Sequence, residues 1–366
     1  MLNEPIPVSV LTGFLGAGKT TLLNRLLKNS GMADTAVIIN EFGDVAIDHL
    51  LVEQASDGVI ELSDGCLCCT VRGELVDTLA DLVDRVQTGR IARLRRVVIE
   101  TTGLADPVPV LQSIMAHPVL LQAYRLDGVV TLVDAVNGAA TLDTHVEAVK
   151  QVAVADRIVV TKTDLEPDTA GLKARLAAIN PGAAVLDIAT ADPAGLVACG
   201  LYDPETKTAD VRRWLGEAHD HARHHDHDGD HDHDHTHDHG RHDSRIRSLS
   251  LAHDGPLPFA AIETFLDLLA STHGDRLLRL KGIVELAEDR SRPLVVHGVQ
   301  RILHPPARLP SWPDEKRGTR LVVIMADMPE EYVRRLFAAV TDQPSPDTPD
   351  RTALENNPLA IGGFRG

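Results

Sequence analysis

Along the chain, short runs rich in Val, Ile and Leu alternate with longer stretches in which apolar residues recur every three or four positions. The short runs predict strands over Ile6–Leu11, Thr35–Asn40, Arg95–Glu100, Asp127–Asp134 and Asp156–Lys162. They are nearly continuous in apolar residues rather than alternating, which suits strands covered on both faces. Between them the 3.6-residue pattern predicts helices over Lys19–Lys28 and Glu74–Val86. Alternation of this kind predicts an α/β fold, a parallel sheet with helices on both faces.

The pattern stops at residues 216–243. The stretch His219–Asp243 holds 11 of the chain's 18 histidines and no aliphatic side chain longer than Ala. It cannot bury a core and is expected to be a disordered linker. A second pattern follows: strands at Arg245–Ala252, Arg276–Leu286, Arg292–His304 and Thr319–Ala326, with helices at Phe259–Ser271 and Pro329–Ala339. This β-α-β-β-β-α order predicts a small α+β domain. The expected organisation is therefore a first domain over 1–215, a linker over 216–243, a second domain over 244–342 and a loose tail over 343–366.

Composition narrows the partners. The formal net charge is −17 with His neutral, so no basic face is expected for nucleic acid. No apolar run reaches the roughly 18 to 20 residues needed to span a bilayer. The first residues lack the pattern of a signal peptide, and a cytoplasmic setting with reduced thiols is expected.

Candidate chemistry sits at the strand ends. Directly after the first strand, GFLGAGKT (Gly13–Thr20) fits G-x-x-x-x-G-K-[ST], which makes the first domain a P-loop NTPase. Gly13, Gly16, Ala17 and Gly18 would turn backbone N–H groups toward phosphate oxygens. Lys19 would bring charge to the β- and γ-phosphates, and Thr20 a hydroxyl ligand for Mg²⁺, at the positive end of a helix. The run VVIETTG ends a strand in Glu100 and places Gly103 three residues on. The carboxylate can orient Mg²⁺ or the attacking water, and the Gly103 N–H can sense the γ-phosphate. TKTD (Thr161–Asp164) follows another strand. There Asp164 can accept both N–H groups of a guanine edge while the Lys162 stem lies along the base. Such a motif usually begins with Asn, so the donor offered by Thr161 is expected to be weaker or differently placed, with GTP still favoured over ATP.

Three of the four cysteines fall within DGCLCCTV, as Cys66, Cys68 and Cys69. Their thiolates are soft ligands suited to Zn²⁺, Cu(I), Co²⁺ or Ni²⁺. A turn is required for them to converge, because neighbouring side chains in an extended segment point to opposite faces. A fourth ligand would be water, the nucleotide side or a carboxylate such as Glu41. The same thiols could pack as small hydrophobes, and a redox dithiol is the less favoured reading. Cys199 is expected in the core or at the surface. The histidines of His219–His242 are expected to buffer extra ions, whereas His297 and His304 are expected to be surface or satisfied histidines.

The segments GFLGAGKTTLLN, NEFGD, GCLCCT, ETTGLADP and TKTDL, in that order and followed by a His-rich stretch, closely resemble the CobW-type metallochaperone GTPases. These are relatives of the urease and hydrogenase nickel-insertion GTPases. The resemblance implies a phosphate site that also includes Thr21, a metal site at Cys66, Cys68 and Cys69 with Glu41 in the first switch region, and a guanine site at Lys162 and Asp164. It further implies loading of Zn²⁺, with Co²⁺ as the alternative, and delivery to a client through the C-terminal domain when GTP is hydrolysed. Slow hydrolysis is expected, since no arginine finger is evident near the loop. Self-association into a homodimer is left open. The rival reading of another class is a metal store in which nucleotide only locks a conformation.

Overall fold

The computed structural model describes residues 5–40, 60–62, 71–199, 245–313 and 315–341, with backbone alone at 30, 40, 60–62 and 71–74. The first domain runs β1 (Ile6–Gly13), α1 (Lys19–Leu27), β2 (Thr35–Asn40), β3 (Ile60–Leu62), α2 (Val71–Gln87) and β4 (Arg96–Thr101). It continues through α3 (Val108–Ala116), α4 (Pro118–Ala123), β5 (Tyr124–Asp134), α5 (Gly138–Thr144), α6 (Val146–Ala153) and β6 (Arg157–Thr161). It closes with α7 (Ala170–Ile179), β7 (Ala184–Asp187) and α8 (Pro193–Val197). The second domain comprises β8 (Ile246–His253), α9 (Phe259–His273), β9 (Leu277–Val284), β10 (Leu294–Val299), β11 (Ile302–Leu303), β12 (Ala307–Arg308), β13 (Thr319–Ala326) and α10 (Glu330–Val340).

The first sheet has the order β3-β2-β4-β1-β5-β6-β7, with every pair parallel. The five expected strands form its centre, and β3 and β7 extend the two edges. The β7 strand is only four residues long and half-buried along its length. Helices cover both faces. One layer packs β1, β4 and β5 residues such as Val8, Ile99 and Leu126 against Leu79, Leu111 and Ile114. The other packs Leu11, Val98 and Leu132 against Leu22, Leu23 and Leu26 of α1. The chain leaves β1 toward β2 on one side, while β5 lies on the other. The loop after β1 therefore lies where the strand order reverses, the crevice in which α/β sheets bind ligands.

The second sheet is antiparallel, with β11-β10-β9-β13-β8 in order and β12 on β10. The run Arg292–His304, expected as one strand, is instead a tight hairpin. Val299 pairs with Ile302, and Gln300 in the two-residue loop takes a positive φ of 52°. Hairpins of this size usually carry Asn or Gly there, and Gln-Arg gives no such signal. One face of this sheet packs on α9 and α10 through Phe265, Leu269, Val323 and Phe337.

The other face of that sheet packs on the first domain, and β9 and β10 are buried along their whole length. Leu278, Val322 and Ile324 join Val149, Val152 and Ile158 in one cluster. A bulge in β9 lets both Leu278 and Arg279 turn that way, since Met325 pairs with Leu277 while Ile324 pairs with Arg279. Arg279 and Lys281 are the charged residues on this strand, and both side chains are fully buried. They meet Asp156, just before β6: Arg279 donates to both carboxylate oxygens at 2.9 and 3.0 Å, and the Lys281 ammonium lies at 3.4 Å. Burial alone would raise the Asp156 pKa, but the two cations and the Val129 N–H hold it below the usual range. Burial pushes Lys281 down to about 8 against the pull of Asp156.

Of His297 and His304, His304 is satisfied, its Nδ1 lying 2.9 Å from the Pro305 oxygen, and His297 is buried rather than at the surface. His297 is 1% exposed and stacks on His304 with ring centroids 4.3 Å apart. Burial, then the nearby His304, Arg279 and Lys281, hold His297 far below the ordinary histidine pKa. Cys199 lies in the core. The linker, the tail, Glu41 and the three clustered cysteines lie outside the described residues.

Candidate functional site

The loop Gly13–Thr20 takes its shape from three glycines. Gly13, Gly16 and Gly18 have φ of 142°, 73° and 95°, values that L side chains rarely adopt. At Gly13 a Cβ would lie 2.5 Å from the Leu132 carbonyl oxygen, so only glycine fits there. The Ala17 N–H donates to the Phe14 oxygen, and Gly18 then opens α1 with no side chain capping the first turn. That leaves the first N–H groups of α1 directed at the crevice. Lys19, 8% exposed, folds back over the loop and donates to the Gly13 oxygen at 2.9 Å and the Phe14 oxygen at 3.4 Å. The ammonium is thus held where an anion in the loop would meet it. Thr20 is half-buried and Thr21 exposed in the first turn of α1.

Beside this loop lies the end of β4. Glu100 is 5% exposed, and Thr101 ties β4 to β1 by donating to the Thr12 hydroxyl at 2.7 Å. Gly103 then packs on the phosphate loop, where a Cβ would sit 2.6 Å from the Leu15 nitrogen. Gly103 therefore lies against the loop that carries Lys19, and Glu100 lies beside Leu11 of β1.

The third wall is the end of β6. Thr161 is buried, and its hydroxyl donates to the Ala17 oxygen at 2.8 Å. The residue standing where Asn is usual therefore holds the phosphate loop against β6 rather than aiming at a purine. Lys162 follows in the left-handed region at φ 57°, and its ammonium lies 2.6 Å from Asp134 Oδ2. Burial works to raise the Asp134 pKa. Hydrogen bonds from Lys162, Asn137 and the backbone of Val136 and Asn137 outweigh it and keep the carboxyl below its usual range. Asp164 is exposed at the rim. Thr163 donates to Asp187 at 2.9 Å, which also accepts the Ala189 N–H, so the loop after β7 is tied to the same motif.

Asp134 and Asp187 were missed from sequence, although both end apolar strands on the same edge as the motif. Among the described residues no group of three or more His, Cys, Asp or Glu is placed to hold a metal ion. No helix among them is long and apolar enough to cross a membrane.

The CobW/HypB/UreG nucleotide-binding domain family matches residues 7–187, and the CobW C-terminal domain family matches residues 246–341. The zinc chaperone YjiA of Escherichia coli is 37% identical over 337 residues, spanning 92% of this chain and 99% of that protein. The chain belongs to the CobW/HypB/UreG family. A zinc chaperone CobW from Sinorhizobium is 33% identical, over 92% of this chain and 97% of its own length. The crystal structure of Zn(II)-bound YjiA GTPase superposes with a TM-score of 0.66 at 33% identity, covering 92% of this chain and 99% of that one. The family boundaries fall on the two folded units described above, with 188–245 between them.

Proposed function

We propose that this GTPase is a metallochaperone. It loads a transition metal, zinc first and cobalt as the alternative, at Cys66, Cys68 and Cys69 and passes it to a client protein when GTP is hydrolysed. One observation carries the reading. A fully formed phosphate loop and a C-x-C-C run share one chain, in a family whose relatives of near-equal length are named zinc chaperones.

The N–H groups of Gly13, Gly16 and Gly18 cradle the phosphates; the Ala17 N–H joins them by leaving the Phe14 oxygen, and Lys19 exchanges the Gly13 and Phe14 oxygens for phosphate oxygens. Thr20 and Glu100 offer oxygen donors suited to Mg²⁺, which would neutralise phosphate charge when bound. Thr21 completes the first turn, and the Gly103 N–H faces the γ-phosphate. Lys162 and Asp164 select guanine, with Thr161 as the tie between base and phosphate loops.

The thiolates bind the cargo metal, with Glu41 as a further ligand, and binding expels their protons. If nucleotide orders the segment that carries the thiols, each ligand raises the affinity for the other by the same factor. The His219–His242 tract holds additional ions, and the C-terminal domain meets the client. Self-association into a homodimer is compatible with this scheme.

The test is a competitive zinc titration against a chromophoric chelator, with Mg²⁺–GTP, with Mg²⁺–GDP and without nucleotide. The protein, a Cys66/Cys68/Cys69→Ser variant and a deletion of residues 219–242 are compared. The proposal expects one tight ion that needs GTP, vanishes in the Ser variant and survives the deletion. Binding that ignores nucleotide, or is lost only with the histidines, would make the chain a metal store.

A further inference from the structure

Gln151, on α6, is 1% exposed and stands outside every motif that marks the nucleotide site. Its side-chain amide nitrogen donates to the Gly103 oxygen and to the Ala105 oxygen, both at 3.1 Å. Those carbonyls belong to the loop joining β4 to α3, which presses Gly103 onto Leu15 of the phosphate loop. Gly103 thus lies between the phosphate loop, against its Cα, and Gln151, at its carbonyl oxygen.

Gln151 is itself fixed. Its main-chain oxygen accepts the Thr131 hydroxyl at 2.7 Å, and Thr131 pairs with Thr12 in the strand that leads into the phosphate loop. The preceding residue grips the same loop: Lys150 meets Asp106 at 3.0 Å, and Asp106 accepts the Val108 N–H at the start of α3.

The choice of side chain follows from the chemistry. Two converging carbonyl oxygens in a buried place need a group with two N–H donors and no charge, on a stem long enough to reach from a helix. The arrangement even leaves the other side-chain atom, Gln151 Oε1, buried without a hydrogen-bond partner among the described residues. A side chain kept only to fill space would not require that.

We propose that Gln151 is a positioning residue for the γ-phosphate. By holding the oxygens of Gly103 and Ala105 it fixes the Gly103 N–H against the phosphate loop, with Lys150–Asp106 as a second, weaker hold. This rests on the reading of Gly103 as the γ-phosphate contact. GDP has no γ-phosphate, so loss of the amide is felt by GTP and not by GDP.

The experiment measures affinity for Mg²⁺–GDP and for a Mg²⁺-bound non-hydrolysable GTP analogue, together with single-turnover GTP hydrolysis. It uses the full chain, Gln151→Met, Gln151→Glu, Lys150→Ala and Gly103→Ala. Gln151→Met keeps the stem and removes the donors, whereas Gln151→Glu sets a carboxylate against two carbonyls. Both are expected to weaken the GTP analogue relative to GDP and slow hydrolysis by on the order of ten- to a hundredfold, the Glu variant more. Lys150→Ala should move the same ratio in the same direction by less, and it serves as the reading if the Gln151 variants do not fold. Equal loss of both nucleotides, or a fall in melting temperature with the ratio unchanged, would mean a purely structural strut. If Gly103→Ala shifts the ratio and the Gln151 and Lys150 variants do not, this proposal fails while the γ-phosphate reading of Gly103 stands. If none shifts it, that reading fails as well.

Discussion

Two Asp–Lys contacts flank strand β6, roughly 20 Å apart at the rise of a β-strand, and they are built differently. At the C-terminal end Lys162 reaches Asp134 with 35% of the lysine side chain exposed. At the N-terminal end Lys281 and Arg279 reach Asp156 with the cations at 0% and the carboxylate at 3%. The first pair stands part exposed at the mouth of the crevice beside the phosphate loop, where a change of partner costs little. The second is sealed between two domains and contributes position, because separating those charges exposes a cost that no ligand offsets. One strand thus carries a part-exposed contact at the crevice and a fixed one toward the second domain.

The comparison can be broken at its buried end first. Asp156→Ala leaves Arg279 and Lys281 without their carboxylate and should destabilise the chain by about 3–5 kcal/mol, read by urea denaturation. Lys281 loses its proton near pH 8 in the folded chain but keeps it to about 10.4 when unfolded. The unfolded state therefore binds more protons in that window, and stability should rise as pH rises through it. A variant as stable as the parent would show that the buried cluster is not the interdomain strut.

Lys19→Ala, at the crevice, should reverse the pattern. Hydrolysis is expected to fall by on the order of a hundredfold or more, with little change in urea midpoint, because the ammonium donates to the Gly13 and Phe14 carbonyls of its own loop rather than to a charge across the two domains. Loss of folding alongside activity would erase the distinction between the two ends.

Acid sharpens the buried end further. His297 is neutral in the folded chain and titrates near 6.5 when unfolded. Below that pH the unfolded state binds the extra proton, so stability should fall by up to about 1.4 kcal/mol per pH unit. His304 is also lowered, by burial, and adds to the same slope. In His297→Gln, urea denaturation from pH 7.5 to 5.5 should show a shallower loss. An unchanged slope would place the proton uptake elsewhere.

The smallest effect is expected at the surface. Arg301 meets Asp275 at 2.6 Å with 52% and 72% of the side chains exposed. Arg301→Ala should leave melting temperature and hydrolysis unchanged within error, as exposed pairs usually do.

Much of this was legible before folding. The phosphate loop announces itself because its backbone conformation demands glycine at set positions, and the covered strands announce themselves by unbroken apolar runs. What escaped were contacts between distant segments. Asp156 and Arg279 are 123 positions apart, and a charged residue inside an apolar strand says that a partner exists without saying which. Gln151 carries no local signal either, since its partners are carbonyls rather than side chains. The partner of Thr161 was hidden for a related reason: the donor was expected to be weaker or differently placed, but that it answers to the backbone of Ala17 is not revealed by spacing within TKTD.

The central claim is that GTP hydrolysis releases the cargo metal. The direct test loads the chain with one zinc ion in Mg²⁺–GTP and follows, in a single turnover, phosphate release and zinc capture by a chromophoric chelator. A parallel sample holds a non-hydrolysable GTP analogue. The account predicts that zinc leaves at the rate of phosphate release and stays bound with the analogue. Zinc leaving equally fast from both samples would contradict it.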